Sequence, residues 1–204
     1  MKFEEILPKN QKRIGLTGGI ASGKSTISEY IHKQKKIEIL DADFYSKQLI
    51  MPGKESYHKI IEHYGVEITD LESPNKEIIT SKLRKIIFND SLEKIWLENL
   101  LHPLIKYQML NDCIKLIENK TLVLVIPLLF EANFNDLCTE IWLVKCSEDA
   151  QRKRLMKRDR ISREEAEQLI SSQMSLEEKE KKSDIVLVNE SSRIHWKKQL
   201  DNLL

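Results

Sequence analysis

Residues 18–25 read Gly18-Gly19-Ile20-Ala21-Ser22-Gly23-Lys24-Ser25, filling every fixed position of the pattern G-x-x-x-x-G-K-[ST]. Each fixed residue type answers one chemical need. Gly18 and Gly23 let the backbone turn tightly and aim its N–H groups inward, a concavity suited to phosphate oxygens. Lys24 reaches the β- and γ-phosphates of a nucleoside triphosphate, and the Ser25 hydroxyl ligates the Mg²⁺ that bridges them. Thr26 is a candidate contact to the α-phosphate. A helical run beginning near Lys24 adds its positive N-terminal end. Four of the six glycines fall within nine residues here (Gly15, Gly18, Gly19, Gly23), and none follows Gly65, so the chain concentrates its backbone freedom at this one place.

Such a loop serves motors, switches and kinases alike. A guanine-reading switch needs N-K-x-D and D-x-x-G. The nearest segments, Asn119-Lys120-Thr121-Leu122 and Asn75-Lys76-Glu77-Ile78, lack the aspartate, and no glycine has an aspartate three residues before it. A motor-type ATPase needs an apolar run ending in Asp-Glu, whereas the corresponding run here ends Ile126-Pro127-Leu128-Leu129-Phe130-Glu131. Another ends Leu40-Asp41-Ala42-Asp43. Acidic residues at strand C-termini lie on the ligand edge of an open α/β sheet. Asp41 and Asp43 are two apart, so in an extended segment both face the same way. One is then suited to take a proton from an attacking hydroxyl, the other to support Mg²⁺ through water; the competing reading is a helix N-cap or turn aspartate. The third feature is basic: residues 152–163 carry seven Lys or Arg in twelve, with Arg154 and Arg158 four apart on one helix face. Arginines there suit the neutralisation of charge during phosphoryl transfer. A solvated helix balanced by Glu164, Glu165 and Glu167, or a nucleic-acid patch, are the other readings; no aromatic residue is interleaved as single-strand binding would require.

The elements that position these residues follow from hydrophobic patterning. Short β-rich runs occur at 13–17, 37–40, 122–126, 141–144 and 185–188, most of them continuously apolar, as strands buried on both faces are. Longer stretches with helical patterning lie between them, including 25–33, 92–118 and 163–181. Alternating strands and helices predict βαβ crossovers, hence a three-layer α/β fold on a five-stranded parallel sheet. One crossover is too long for a single helix. From Asp43 to Lys120 no buried strand is expected, which predicts a helical insertion over about 45–118 that forms a wall of a substrate site. The basic stretch over about 148–181 is a candidate for a small lid on a single domain of 204 residues.

Composition bounds the partners. Apolar residues make up 41% and charged residues 32% of the chain, and the formal net charge is +1. That is a globular balance with no global field to hold nucleic acid or a membrane surface, so anion binding must be local. Cys113, Cys138 and Cys146 show neither metal-ligand nor C-x-x-C spacing, and reduced thiols in a cytoplasmic protein are expected. The first residues, MKFEEILPKNQK, contain no apolar core of a signal peptide.

Taken together the motifs resemble the dephospho-CoA kinase family. The resemblance spans Ile14 to about Asn189 and rests on residues 15–26, Asp41-Ala42-Asp43, Leu100-Leu101-His102-Pro103-Leu104-Ile105, Pro127-Leu128-Leu129-Phe130-Glu131 and Arg154-x-x-x-Arg158-Asp159 with Arg163. It implies an ATP-binding core whose loop residues Gly18, Gly19, Ile20, Ala21, Ser22, Gly23, Lys24, Ser25 and Thr26 hold the nucleotide. It further implies a helical insertion for dephospho-CoA and an arginine-bearing lid, in a monomer or weak homo-oligomer. Asp43 becomes the expected general base, with Asp41 as the fallback. His102 and Glu131 are placed near the acceptor pocket and Phe130 against its adenine, with Arg163 also on the substrate. Asn189 falls near the ATP adenine. On the residues alone, His102-Pro103 reads as a helix boundary and Phe130 as core. The sequence departs from the family pattern at Ala21, where glycine is usual and little effect is expected; at Asn189-Glu190-Ser191, where a glycine is common; and at Thr80-Ser81, where an arginine is common. The first twelve residues read as an extension, a loosely packed arm.

Overall fold

The computed structural model describes residues 6–190 and 193–204. Five strands, β1 (Lys12–Gly18), β2 (Glu38–Asp41), β3 (Thr121–Val125), β4 (Glu140–Lys145) and β5 (Ile185–Val188), form one sheet in the order β2-β3-β1-β4-β5. Every pairing is parallel. Each strand lies within one residue of its expected bounds, and the central three are buried on both faces: Ile14, Leu16, Val123, Val125, Trp142 and Val144 on one, Leu122, Leu124 and Leu143 on the other. Ile27 and Ile31 cover the sheet from helix α1 (Lys24–Tyr30) and the π-helical turn that extends it over Ile31–Lys35, joined by Trp196 and Leu200 of the C-terminal helix, Arg193–Leu203.

The chain divides into two compact units, one comprising residues up to Asp41 and from Asp112 onward, the other Ala42–Asn111. The second is helical, with α2 (Ala42–Leu49), α3 (Glu55–Tyr64), α4 (Thr80–Asn89) and the start of α5 (Ser91–Lys115), plus one antiparallel bridge between Thr69 and Ile78. Helix α5 runs through Pro103, so the helix boundary read at His102-Pro103 is absent. An interior proline costs about 3 kcal/mol. Leu97, Leu101, Ile105 and Met109 recur every four residues and are all buried, and each contributes roughly 1.5–3 kcal/mol.

The first unit continues with α6 (Glu148–Asp159), α7 (Arg163–Ser171) and α8 (Leu176–Lys181). The helical stretch at 163–181 is therefore two helices. Ser162 with Glu165, and Ser175 with Glu178, form capping boxes that start each one. The N-terminal segment is not loose from Leu7 onward. Leu7 is buried, and the Gln11 amide donates to the Cys113 and Leu116 carbonyls at 3.1 and 2.8 Å, while the Arg13 guanidinium donates to Leu137 and Pro8 carbonyls, each at 2.8 Å. Residues 1–5 of that arm lie outside the described residues, as does Ser191. Cys113, Cys138 and Cys146 are all free thiols. Among the described residues no helix is long and apolar enough to cross a membrane.

Candidate active site

The phosphate loop leaves the buried end of β1 and enters α1. Gly18 and Gly23 have φ of +153° and +100°, so both glycines of the pattern meet a backbone need. Ala21 also has positive φ, +56°. Alanine carries strain there that its variable place in the motif did not reveal. The Lys24 ammonium donates to the Gly18 and Gly19 carbonyls at 2.8 and 2.9 Å, folded over the loop it is to serve. Ser25 is exposed in the first turn of α1 and Thr26 half-buried beside it.

Further side chains hold this loop from behind, and the sequence reading assigned them other roles or missed them. Asn189, expected beside adenine, is buried and donates its side-chain amide to the Ser22 carbonyl at 2.8 Å. Arg154 donates to the Asn189 carbonyl at 2.8 Å, to the Ser22 carbonyl at 3.4 Å and to the Glu190 carbonyl. Loop, α6 and the end of β5 are thus brought together at Ser22. Gln151 and Gln173 bracket Ile20, the first donating to its carbonyl at 3.1 Å and the second accepting from its N–H at 2.9 Å. No motif flagged either glutamine. A cavity of about 820 Å³ opens beside them, lined in part by Gly19, Ile20, Ser147, Gln151, Gln173 and Glu190. Cys146 lies buried near this loop. Burial pushes its thiol pKa up, against the smaller opposing pull of the Arg154 and Lys24 charges.

Four of the other basic residues pair with carboxylates. Arg158 forms a two-point bond with Asp159 at 2.7 and 2.8 Å, and Arg163 pairs with Glu167 at 2.9 Å. Arg152 meets Asp149 at 2.9 Å and Lys153 meets the same residue at 2.6 Å. Part of the basic run is therefore the balanced solvated helix, whereas Arg154, expected at the triphosphate, turns onto the loop.

Asp41 ends β2. Its register partner is Val125, which also pairs with Leu16, so Asp41 sits on the same sheet edge two residues short of the start of the loop. Asp43 lies exposed in the first turn of α2, not in an extended segment. The helix begins at Ala42, so the alternation argument that gave both carboxylates one direction does not apply. Phe130 is half-buried with the Lys182 ammonium over its ring at 5.9 Å. Glu131 accepts from the Met174 N–H at 3.1 Å and pairs at 2.8 Å with Lys179, a residue fully buried and absent from the sequence reading. A lysine in the pattern LEEKEK carries no sign of burial. In the helical unit His102 is half-buried on α5. Burial lowers its pKa and Lys94 adds to this, while Glu98 opposes.

The family model for dephospho-CoA kinase matches residues 12–194. The chain belongs to the dephospho-CoA kinase family. It is 53% identical over 197 residues to a dephospho-CoA kinase of Prochlorococcus marinus strain MIT 9312, covering 96% of each chain. It is 50% identical to that of P. marinus subsp. pastoris, covering 100% of each. The solved dephospho-CoA kinase from Campylobacter jejuni superposes with a TM-score of 0.67 at 28% identity, covering 94% of each chain. The match to the family begins where β1 begins. Among the described residues no group of three or more His, Cys, Asp or Glu could hold a metal by itself. Mg²⁺ takes only one or two protein oxygens together with phosphate oxygens, and the exposed Ser25 hydroxyl would be open to it.

Proposed function

We infer that the chain transfers the γ-phosphate of ATP to the ribose 3′-hydroxyl of dephospho-CoA, giving CoA and ADP, the last step of coenzyme A biosynthesis. The observation that carries this reading is a complete phosphate loop built on β1 and α1, within a family match that covers residues 12–194. Its residues do little covalent chemistry; they position and neutralise. The loop amides and Lys24 hold the β- and γ-phosphates. Mg²⁺, held by Ser25 and supported by Asp41 through water, would supply charge neutralisation across those phosphates. Asp43 takes the proton of the 3′-hydroxyl as its oxygen attacks the γ-phosphorus; the bond from that phosphorus to the bridging oxygen breaks, and ADP leaves with the electron pair. The helical unit Ala42–Asn111, with His102, binds the acceptor. Helices α6 and α7 serve as the lid, bringing Arg158 and Arg163 to the phosphates and the acceptor while Arg154 and Asn189 brace the loop near the adenine. The working compartment is the cytoplasm.

The test is ADP release with ATP, Mg²⁺ and a panel of dephospho-CoA, nucleosides, nucleoside monophosphates and shikimate. Release should depend on dephospho-CoA and fall by orders of magnitude in Lys24→Ala. Release driven by another acceptor, or none at all, would overturn the reading.

A further inference from the structure

The bonds around Ile20 continue through the protein in a closed path. The Gln173 amide oxygen takes the Ile20 N–H, and Gln151, itself only 2% exposed, gives its amide N–H to the Ile20 carbonyl. Both peptide planes flanking Ile20 are thereby fixed. Gln173 lies on the turn between α7 and α8, and the next residue, Met174, gives its N–H to Glu131. Glu131 pairs with Lys179, whose ammonium also donates to the Pro127 carbonyl at 3.0 Å. The Thr17 hydroxyl donates to that same carbonyl at 3.3 Å. The path leaves the chain at Thr17 and returns at Ile20, having passed through the exit of β3, helix α8 and the α7–α8 turn.

An N–H given to Gln173 is withheld from phosphate. Its loss would free the 19–20 peptide to rotate, and a loop that must present several N–H groups in one concavity depends on each plane's orientation. We propose that Gln173 is a positioning residue for the phosphate loop, and that the α7–α8 turn, anchored by Glu131 and Lys179, sets the loop's ATP-binding geometry. The acceptor for Ile20 is an uncharged oxygen on a half-buried side chain. Glutamate at the same place keeps that oxygen, and alanine removes it.

The proposal rests on the loop binding ATP, not on the identity of the acceptor. Hydrogen exchange by mass spectrometry on the full chain should show the peptide containing Ile20 exchanging faster in Gln173→Ala and at the wild-type rate in Gln173→Glu. MgATP affinity, measured by calorimetry without acceptor, should weaken in Gln173→Ala roughly five- to tenfold, the worth of one hydrogen bond. KM for ATP should rise in step, with KM for dephospho-CoA unchanged. Unaltered exchange at Ile20, or faster exchange with unaltered MgATP affinity, would overturn the proposal. If the wild type releases no ADP with dephospho-CoA while both Gln173→Ala effects appear, the acceptor reading fails and the positioning role stands.

Discussion

Glu131 has two competing explanations, contact with the acceptor or anchorage of α8, and the burial of its partner separates them. The Lys179 side chain is 0% exposed and that of Glu131 is 23% exposed, with the two charges 2.8 Å apart. Removing one partner of a buried pair costs about 3–5 kcal/mol when the remaining charge is stranded. Glu131→Ala strands the ammonium in a fully buried place with only the Pro127 carbonyl, so a loss of about 3–4 kcal/mol is expected. Lys179→Met instead leaves a carboxylate with access to water and the Met174 N–H, and fills the volume with an apolar chain, so about 1–2 kcal/mol is expected. The double variant carries no stranded charge and should be more stable than Glu131→Ala alone, a reversal of the usual additivity. Urea unfolding followed by tryptophan fluorescence measures this, since Trp142 and Trp196 are both buried in the core of the sheet unit. At roughly 2–4 °C per kcal/mol, Glu131→Ala should melt about 6–16 °C lower. A Glu131→Ala variant within about 1 kcal/mol of wild type, with KM for dephospho-CoA raised tenfold or more, would refute the anchor and return Glu131 to the acceptor.

Three further outcomes follow from the same geometry. Ala21→Gly removes the cost of an L-residue at positive φ, about 1–2 kcal/mol, against about 0.4–1 kcal/mol of added unfolded-state entropy; thermal melting should show a small net gain, and a loss would contradict the strain. His102 binds its proton less readily folded than unfolded because it is buried, so stability should fall as pH drops below its unfolded value of about 6.5 and toward its lower folded value; His102→Gln should flatten the difference in melting temperature between pH 7.5 and pH 5.5, and an unchanged slope would exclude it. Asp43→Asn should lower kcat by roughly 10²–10⁴ with ATP affinity retained; if Asp41→Asn has that effect instead, the base has been assigned to the wrong carboxylate.

The sheet was legible because burial on both faces writes continuous apolar runs, and the phosphate loop because its chemistry permits so few residue types. Features that depend on side chains meeting across the fold left no mark. Lys179 lies in a run of alternating Glu and Lys that reads as solvent-facing, yet it is fully buried because a carboxylate and a carbonyl from the exit of β3 wait for it. Gln151 and Gln173 belong to no motif, and their partner is backbone, which has no sequence signature. Pro103 misled the local reading since an X-Pro rule describes the average helix, not one with four buried residues in a row of spacing four. Asp43 was placed by a period that applies to strands, while the strand ends two residues earlier.

The basic run on α6 and α7 sorts by what each arginine already holds. Arg154 is half-buried and donates to three carbonyls of the loop and the β5 exit, so moving it would strand acceptors and loosen Ser22. Arg158 and Arg163 pair with Asp159 and Glu167, carboxylates of their own helices, and their side chains are 57% and 63% exposed. Exposed pairs of this kind are worth about 0–1 kcal/mol, far less than a charge-assisted bidentate bond to phosphate can return. With a net charge of only +1 the protein has no long-range field to draw in a triphosphate. Under the proposed function, Arg158 and Arg163 would exchange these weak pairs for phosphate, while Arg154 stays fixed on the loop. Charge removal distinguishes the two kinds: Asp159→Asn should lower melting temperature by no more than about 4 °C, whereas Arg154→Ala should lower it further and loosen exchange at Ser22.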